Sequence, residues 1–276
     1  LFGVPRGNPT KIVLIMLITA VALVSVVAGL DKGVKRLSEI NMTMAGLLFL
    51  FVLIAGPTLV IVTTMGNSVV DYLYHLPGLS NWVGREDLDF LHGWTTFYWA
   101  WWISWSPFVG MFIARVSYGR TVREFITWVL VIPTIIGILW MSTFGGTALD
   151  QLFSSGYMGV AEAVTELALF KMLEQLPFTG IVSTISVFLI AIFFITSADS
   201  GSLVMDIITA GGKMDAPVQQ RVFWCILAGM VAIALMLGGG MASLQALTIS
   251  IGLPFAVVLL VMCVGLAKGL LEERSQ

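Results

Sequence analysis

Residues 94–116 carry an unusual concentration of aromatic side chains. Five of the nine tryptophans of the chain lie within the twelve residues that begin at Trp94. At the 100° per residue of an α-helix, six rings fall in one narrow stripe: Trp94, Tyr98, Trp101, Trp105, Phe108 and Phe112. Trp102 lies beside this stripe, and Trp99 points well away from it. One face of the segment is therefore predicted to be almost entirely aromatic.

The faces of indole rings attract cations that carry methyl groups in place of N–H donors. Each desolvated contact stabilises such a cation by about 2 kcal/mol, so three contacts would contribute about 6 of the roughly 8 kcal/mol that micromolar affinity requires. A zwitterionic ligand could gain the remainder through its carboxylate, at free backbone N–H groups or at the positive end of a half-helix. The alternative is that the rings only fill space between helices, although helix packing in membranes favours small residues.

A second group of polar side chains lies in residues 193–202. Phe193, Thr196, Ser197 and Ser200 fall on one helical face, which places hydroxyl groups and carbonyls together deep in an apolar segment. Hard oxygen ligands of this kind suit Na⁺. The alternative is that the hydroxyls only donate to carbonyls of their own helix or of a neighbour.

The composition excludes a soluble domain. Of the 276 residues, 58% are hydrophobic and 11% are charged, and the mean hydropathy is +0.97, whereas soluble domains are about half apolar and a quarter charged. The fold class is therefore predicted to be an all-α polytopic membrane protein. Cys225 and Cys263 both lie in apolar segments, which argues against a disulfide framework or a metal site. The net charge of -2 says little about partners, because the distribution of Lys and Arg between the two sides carries the information in such a protein, and no nucleic-acid partner is expected.

Seven segments are apolar over about the 20 residues that a bilayer span needs. They are residues 11–30, 43–66, 94–116, 125–145, 181–206, 221–238 and 242–267. Residues 67–78 and 158–176 mix apolar with charged positions and are predicted to form interfacial or partly re-entrant helices.

Helix breakers interrupt several of these spans. A proline removes one backbone N–H and frees the carbonyl four residues earlier, which lipid cannot satisfy. Pro107 is expected to break its span, and Gly252 with Pro254 to interrupt theirs, whereas Pro57 and Pro133 are expected to produce only kinks.

One carboxylate, that of Asp199, falls inside a predicted span and not at its end. An intramembrane carboxylate costs roughly 2.5–3.5 kcal/mol, so Asp199 must face protein or a water-filled cavity. It is either a functional group or a structural one that hydrogen-bonds to a neighbouring helix.

Lys and Arg residues are distributed unevenly between the two sides of the predicted spans. Ten lie on one side: Lys32, Lys35, Arg36, Arg115, Arg120, Arg123, Lys213, Arg221, Lys268 and Arg274. Four lie on the other: Arg6, Lys11, Arg85 and Lys171. By the positive-inside rule the first side is cytoplasmic, which predicts an internal C-terminus and an external start of the chain. The external start suggests that an upstream part with an odd number of spans precedes these residues.

The aromatic segment resembles the signature of a known transporter family. The run Trp-Thr-x-Phe-Tyr-Trp-Ala-Trp-Trp-x-Ser-Trp-x-Pro-Phe-Val-Gly that begins at Trp94, followed by Gly119-Arg120-Thr121-Val122-Arg123-Glu124-Phe125, is similar to the signature of the betaine/choline/carnitine transporters. Gly56-Pro57-Thr58 and Thr196-Ser197-Ala198-Asp199-Ser200 extend the similarity along the chain.

This resemblance implies the fold of the sodium symporters, with twelve spans of which the last ten form two inverted five-helix repeats. Residues 1–66 would hold the last two helices of the first repeat, and residues 67–93 an external connection. Residues 94–267 would form the second repeat, and residues 268–276 a cytoplasmic tail. Homotrimers are usual in the family, and the helix at 67–78 would lie near the contacts between protomers.

The resemblance also implies roles for individual residues. Substrate would contact Trp102 at the centre, with Trp101 and Trp105 along the path and Tyr98 and Trp99 nearby. One sodium site would use Phe193, Thr196 and Ser197, and another would include Phe108. Arg115 and Arg120 would belong to a cytoplasmic gate. No cofactor is implied, and Na⁺ would be the coupling ion.

The predicted function is Na⁺-coupled symport of glycine betaine or a related quaternary ammonium solute across the plasma (inner) membrane. No bond is made or broken, so the protein is not predicted to be an enzyme. The alternatives are H⁺-driven choline uptake or carnitine-type exchange, in which Asp199 would matter more, and a non-transporting membrane scaffold or osmosensor. Because half of the aromatic cage would come from absent helices, this 276-residue chain alone is expected neither to bind betaine tightly nor to transport it.

Overall fold

The computed structural model describes Gly3, Pro5 and residues 7–28, 35–213 and 217–274, and these residues form helices and no strand. Arg6 and Lys32, two of the residues in the charge count, lie outside the described residues. The helices are α1 (Asn8–Ala28), α2 (Lys35–Ala55), α3 (Thr58–Ser80), α4 (Leu88–Phe90), α5 (Phe97–Val116), α6 (Val122–Phe153), α7 (Ala168–Leu173), α8 (Thr179–Thr209), α9 (Val218–Gly238) and α10 (Met241–Arg274). A π-helical turn, Leu91–Thr96, leads into α5, and a 3₁₀ turn, Thr165–Leu167, leads into α7.

Six of the described helices are long and apolar enough to cross a membrane: α1, α2, α6, α8, α9 and α10. This confirms the prediction of an all-helical, polytopic chain. Helix α5 has 20 residues, which is enough to cross a bilayer, but it is not one of these six. The seventh span and the inverted repeats stay predictions.

The second span differs from the prediction, because the chain breaks at Gly56-Pro57 instead of continuing through a kink. Helix α2 ends at Ala55, and α3 begins at Thr58 and joins residues 58–66 to the predicted interfacial helix. Gly56 has no room for a side chain, since a Cβ atom there would lie 2.6 Å from the carbonyl oxygen of Val52. The Thr58 hydroxyl donates to the Leu53 carbonyl at 2.7 Å, which replaces the donor that Pro57 lacks.

The breaks predicted in the third and seventh spans are also wrong. Helix α5 continues through Pro107, and α10 continues through Gly252 and Pro254. Pro133 lies inside α6 and does not end it. Residues 158–176 form only the 3₁₀ turn and the six-residue helix α7, so the predicted interfacial helix there is only partly confirmed.

Two compact units are present, one of residues 1–76 and 119–199 and one of residues 77–118 and 200–276. The core of the first unit joins α2, α6 and α7 with the start of α8, through Leu48, Val52, Phe144, Met172, Leu173, Leu176 and Val182. In this unit α2 and α6 run in the same direction. Phe49 of α2 stacks on Trp140 of α6 with ring centroids 6.5 Å apart, and seven residues later in each segment Gly56, which directly follows α2, lies against Thr147.

The second unit contains α4, α5, α9 and α10 with the end of α8. Its closest packing joins α5 to α10. A Cβ atom at Gly252 would lie 3.0 Å from the Cβ atom of Ala100, so this glycine is required for the approach of the two helices and not for a break. Small residues at such a contact are typical of helix packing in membranes.

Candidate functional site

The predicted aromatic stripe is confirmed in part, as two groups of ring contacts along α5 and the turn before it. Trp94 stacks on Tyr98 with centroids 5.8 Å apart and planes at 11°, and Tyr98 meets Trp101 at 5.5 Å and 61°. Phe97 packs beside both, at 5.5 Å from Tyr98 and 6.1 Å from Trp101. The rings follow the helix because residues three and four positions apart share one face. The start of α5 therefore presents a continuous π surface.

The same stripe continues to α10 at its other end. Trp105 stacks on Phe108 with centroids 6.4 Å apart, and Phe108 stacks on Phe255 of α10 at 6.0 Å. Phe108 is thus fixed between two helices. Its predicted role beside a sodium ion stays a prediction.

The face of α5 that packs on α10 lies away from Trp102 and Trp99. Ala100 contacts Gly252, and the Ser104 hydroxyl donates to the carbonyls of Ala100 at 2.8 Å and Thr248 at 3.5 Å. At 100° per residue, Trp102 lies about 160° from Ser104. Its side chain is 62% exposed and that of Trp99 is 63% exposed. Both indole faces are therefore open to a ligand within this unit.

The connection before α5 is held by Arg85. Its Nε donates to Asp87 Oδ1 at 2.8 Å, its Nη2 pairs with Asp87 Oδ2, and its Nη1 donates to the Leu79 carbonyl at 2.8 Å. The guanidinium also lies 5.7 Å from the centre of the Phe90 ring. The hydrogen bond between the two side chains raises the pKa of Arg85 and lowers the pKa of Asp87. These contacts of Arg85 join the end of α3 to the residues that lead into α5.

The hydroxyl of Thr196 donates its hydrogen bond to backbone carbonyls of its own helix, α8. Its Oγ1 lies 3.1 Å from the Ile192 carbonyl and 3.0 Å from the Phe193 carbonyl. This is the bonding that the structural alternative expects, and it leaves the oxygen lone pairs of Thr196 as acceptors. Ser197 is half-buried, and Phe193 is 57% exposed. Their role as sodium ligands stays a prediction.

Asp199 is buried and joined to a neighbouring helix. Its side chain is 3% exposed, and its Oδ2 accepts a hydrogen bond from the Ser25 hydroxyl of α1 at 2.5 Å. A buried carboxylate needs such donors because its charge is otherwise costly in an apolar surrounding. The hydrogen bond supports a structural role in which Asp199 ties α8 to α1.

Sequence reasoning missed a buried ion pair between α8 and α9. Asp206 is 1% exposed, and its Oδ2 lies 3.4 Å from the Nε of Arg221. One turn later, the Thr209 hydroxyl accepts from Gln220 Nε2 at 2.9 Å and from Trp224 Nε1 at 3.1 Å. The predicted span at residues 181–206 ended at Asp206, and Arg221 was assigned to the connection that follows it. The apolar residues after Asp206 were the signal that the helix continues.

The two predicted gate arginines flank the turn between α5 and α6. The side chain of Arg115 lies outside the described residues, and Arg120 is exposed. Thr121 and Glu124 begin α6 with a capping box, in which the Glu124 N–H donates to Thr121 Oγ1 at 3.2 Å and the Thr121 N–H to Glu124 Oε2 at 3.1 Å. The hydrogen bond from the Thr121 N–H is the main reason why the pKa of Glu124 is lowered.

Comparison with known proteins gives one consistent result. The model of the BCCT family, described as betaine/carnitine/choline family transporters, matches residues 1–275. The chain is 58% identical over 273 residues to a glycine betaine/proline/choline transporter of Vibrio parahaemolyticus, a match that covers 99% of this chain and 49% of that protein. It is 43% identical over 279 residues to a glycine betaine transporter of Bacillus subtilis, covering 100% of this chain and 54% of that protein. The chain thus spans about half the length of these relatives.

Proposed function

We propose that this chain, which belongs to the betaine/carnitine/choline transporter family, forms part of a secondary transporter for glycine betaine or a related quaternary ammonium solute. The relatives described above are named as transporters of glycine betaine, and two of their named substrates, glycine betaine and choline, carry a trimethylammonium group. Transport of a solute neither makes nor breaks a covalent bond, so no catalytic residue is proposed.

The observation that carries this proposal is the aromatic face of α5. Trp102 presents an exposed indole beside the row of contacting rings that includes Tyr98 and Trp101. A trimethylammonium group cannot donate hydrogen bonds and prefers polarisable ring faces, each worth about 2 kcal/mol when desolvated. In this proposal the cation sits against Trp102, with Trp101 and Trp105 along its path and Tyr98 and Trp99 nearby.

Na⁺ is proposed as the coupling ion, held at α8 by the oxygens of Thr196 and Ser197 beside Phe193. This assignment agrees with the helix bonds of Thr196, which direct its hydrogen to the backbone and leave its oxygen lone pairs to coordinate a cation. A second sodium ion is proposed near Phe108. Coupling then requires only that Na⁺ binds the substrate-binding conformation more tightly than the other.

Several further features are proposed from family membership and the charge pattern. The C-terminus is placed in the cytoplasm, and Arg115 and Arg120 belong to a cytoplasmic gate. The chain adopts part of an inverted-repeat fold in the plasma (inner) membrane and assembles as a homotrimer. Tagging the C-terminus and testing its protection from external protease would check the orientation.

Uptake of radiolabelled glycine betaine tests the substrate site. Because the chain matches about half of the Vibrio relative, it is grafted in place of the matching part of that protein and expressed in bacteria without their own betaine uptake. The loss of one cation–π contact predicts that Trp102→Ala raises the half-saturating betaine concentration about thirtyfold. Trp128→Ala is the matched control, because Trp128 is a similarly exposed tryptophan on α6. Equal uptake by both variants would contradict the proposed site.

The sodium proposal has a separate test on the same graft. Thr196→Val keeps the shape of the side chain but removes the oxygen, so it should raise the Na⁺ concentration needed for half-maximal uptake at least tenfold. Thr184→Val is the control, since the Thr184 hydroxyl makes the same bond to its own helix, to Gly180 O at 2.7 Å. Undiminished uptake in potassium medium would instead favour H⁺-driven uptake or exchange. If the unmutated graft inserts normally in the membrane but takes up no betaine, the alternative of a non-transporting membrane scaffold or osmosensor would be favoured.

A further inference from the structure

The helix that carries the contacting rings changes its winding where those rings begin. Helix α4, the π-helical turn Leu91–Thr96 and α5 follow one another without a gap, so the chain is helical from Leu88 to Val116. A π turn bonds each N–H to the carbonyl five residues earlier, one more than in an α-helix, and so holds one extra residue. Such turns are rare and are frequently found at functional sites. Trp94 lies inside the turn and begins the row of contacting rings that continues to Tyr98 and Trp101.

The backbone of the π turn stays close to α-helical geometry. Phe90 and Phe97, which border the turn, have φ and ψ of -69° and -43° and of -62° and -48°. The first and last residues of the turn are similar, with -59° and -48° at Leu91 and -64° and -43° at Thr96. An α-helix has about -63° and -42°. Only small changes of these angles therefore separate the π turn from an α-helix, and Gly93 inside the turn restricts them least because it lacks a Cβ atom.

The burial of Leu91 agrees with the presence of an extra residue. Leu91 precedes Tyr98 by seven residues, so in an uninterrupted α-helix the two side chains would lie within about 20° of each other. Leu91 would then extend the row of rings beside Trp94. In the structure Leu91 is only 9% exposed, whereas Trp94 is 50% and Tyr98 is 40% exposed. One extra residue shifts the residues before it by about 100° around the helix, which turns Leu91 away from the row.

Contacts hold the helix on both sides of the turn. Before the turn, the Arg85 guanidinium binds Asp87 and lies 5.7 Å from the centre of the Phe90 ring. After the turn, α5 packs on α10 where Ala100 meets Gly252. The turn is thus the part of the helix in which the winding can change while α5 stays on α10.

We propose that this turn is a hinge with two windings, and that the change between them opens and closes the end of the row of rings at Trp94. In the π winding of the structure, Leu91 is turned away and the half-exposed Trp94 ring is open to a ligand. In the α winding, Leu91 turns onto the row and covers Trp94. The role of a ligand rests on the proposed function, in which a quaternary ammonium solute passes along these rings.

A cation at Trp94 and the α winding exclude each other. The cation gains from contact with the indole face, which Leu91 would occupy after the change. A ligand stabilises the conformation for which it has the higher affinity, so glycine betaine should hold the turn in the π winding. The hinge itself needs no ligand and is testable without one.

Reaction of a cysteine at position 91 with a water-soluble maleimide tests the hinge in the purified chain in mild detergent. The variant carries Leu91→Cys with Cys225→Ala and Cys263→Ala, so it has one thiol. Deleting Gly93 removes the extra residue, and a glycine inserted after Gly84 keeps the length of the chain. The deletion should speed the reaction at least about tenfold, because an α winding populated at 10% or less would become the main one.

The glycine inserted after Gly84 without the deletion is the matched control and should leave the reaction rate unchanged. Gly84 lies exposed in the connection with a φ of +74°, which a glycine adopts readily. Leu203→Cys tests a buried position of α8, 1% exposed, and should stay slow with and without the deletion. Equal rates at position 91 with and without the deletion would overturn the hinge. Faster reaction at both 91 and 203 would also overturn it, because the deletion would then loosen the whole unit.

Deleting His92 or Thr95 in place of Gly93 should have the same effect, because removal of any one residue from the turn restores the α winding. The midpoint of thermal unfolding shows whether each deletion variant is folded. If none of the three variants folds, the extra residue is needed for the fold and not for a change of winding, and the hinge is overturned.

The graft into the Vibrio relative tests the effect of the ligand, with Leu91→Cys as its one thiol. Glycine betaine at ten times its half-saturating concentration should slow the reaction at position 91 about tenfold, since the bound form must release its ligand before the winding changes. A graft that takes up betaine but reacts at the same rate with and without it would overturn the gate and leave the proposed function intact. A graft that takes up none would contradict the proposed function, while the deletion variants still decide whether the hinge exists.

Discussion

The hydroxyl of Ser106 donates to the carbonyl oxygen of Ile103, with Oγ and O 3.1 Å apart. In an uninterrupted helix this carbonyl would accept from the N–H of residue 107, which is a proline and has none. Ser106 thus supplies the donor that its neighbour removes. This explains why α5 continues through Pro107, although the proline alone predicts a break.

The first prediction follows from this relationship. Ser106→Ala should destabilise the chain by about 1–3 kcal/mol, because the Ile103 carbonyl loses its remaining donor in an apolar surrounding. The midpoint of thermal unfolding in detergent micelles, followed by tryptophan fluorescence, measures the loss. Ser106→Thr keeps a hydroxyl and should be close to the unmutated chain.

A double-mutant cycle separates this effect from general loss of packing. In Pro107→Ala, the N–H of residue 107 is restored and can donate to Ile103. Ser106→Ala should then cost little, so the two substitutions should show a large interaction energy. An equal loss in both backgrounds would show that the hydroxyl does not replace the missing donor.

The fold class and the aromatic stripe could be predicted because each depends on a regular pattern. Apolar runs of span length predict helices, and the spacing from Trp94 to Phe108 predicts one aromatic face. Both depend on the helical period alone. The contacts in the structure agree with that period.

The features that were predicted wrongly or missed depend on contacts between particular side chains, which the helical period of the sequence does not show. A proline breaks or continues a helix according to which hydroxyl reaches the freed carbonyl, as Ser106 and Thr58 illustrate. The pairing of Asp206 with Arg221 crosses from one helix to the next. Gly252 suggested a break because sequence does not show that Ala100 packs against it.

The second prediction concerns that contact between α5 and α10. Gly252→Leu should destabilise the chain by about 1–3 kcal/mol, because a Cβ atom would already lie 3.2 Å from the Cα atom of Ala100 and the backbone cannot yield cheaply. Gly265→Leu on the same helix should be neutral or slightly stabilising, since the position is open and leucine favours the helix. The same thermal unfolding measurement compares them. Similar effects of the two substitutions would show that the contact is not tight.

The third prediction concerns the pH dependence of the start of α6. The hydrogen bond from the Thr121 N–H lowers the pKa of Glu124, so the folded chain prefers the ionised carboxylate. A lowered pKa contributes stability that is present above the ordinary glutamate value of about 4.3 and is lost as the pH falls through the folded value. The unmutated chain should therefore lose stability between about pH 5 and pH 3 relative to Glu124→Gln, whose amide does not titrate in this range.

Unfolding midpoints of both chains over this pH range measure the difference. Glu162→Gln is the control, since Glu162 lies exposed in another connection outside the capping box. Its profile should follow that of the unmutated chain. If Glu124→Gln also followed that profile, the capping box would not be the source of the pH dependence.

The last prediction concerns the ion pair between α8 and α9. Arg221→Met should destabilise the chain by about 3–5 kcal/mol, because it leaves the buried Asp206 carboxylate without its counter-charge. Asp206 Oδ1 has no hydrogen-bond partner among the described residues, so nothing else compensates at that atom. Replacing both members, in Asp206→Val with Arg221→Met, should restore most of the stability, because an apolar pair close in volume to the original avoids the desolvation penalty.

The exposed pair of Lys171 and Glu174 provides the control for this prediction. Their side chains are 39% and 45% exposed, and their Nζ and Oε2 atoms lie 3.0 Å apart. Lys171→Met should cost no more than about 1 kcal/mol, since water screens the pair. A comparable loss in Lys171→Met and Arg221→Met would show that burial does not set the strength of the inner pair. A double variant at 206 and 221 that is no more stable than Arg221→Met would show that the charge of Asp206 is held by other groups.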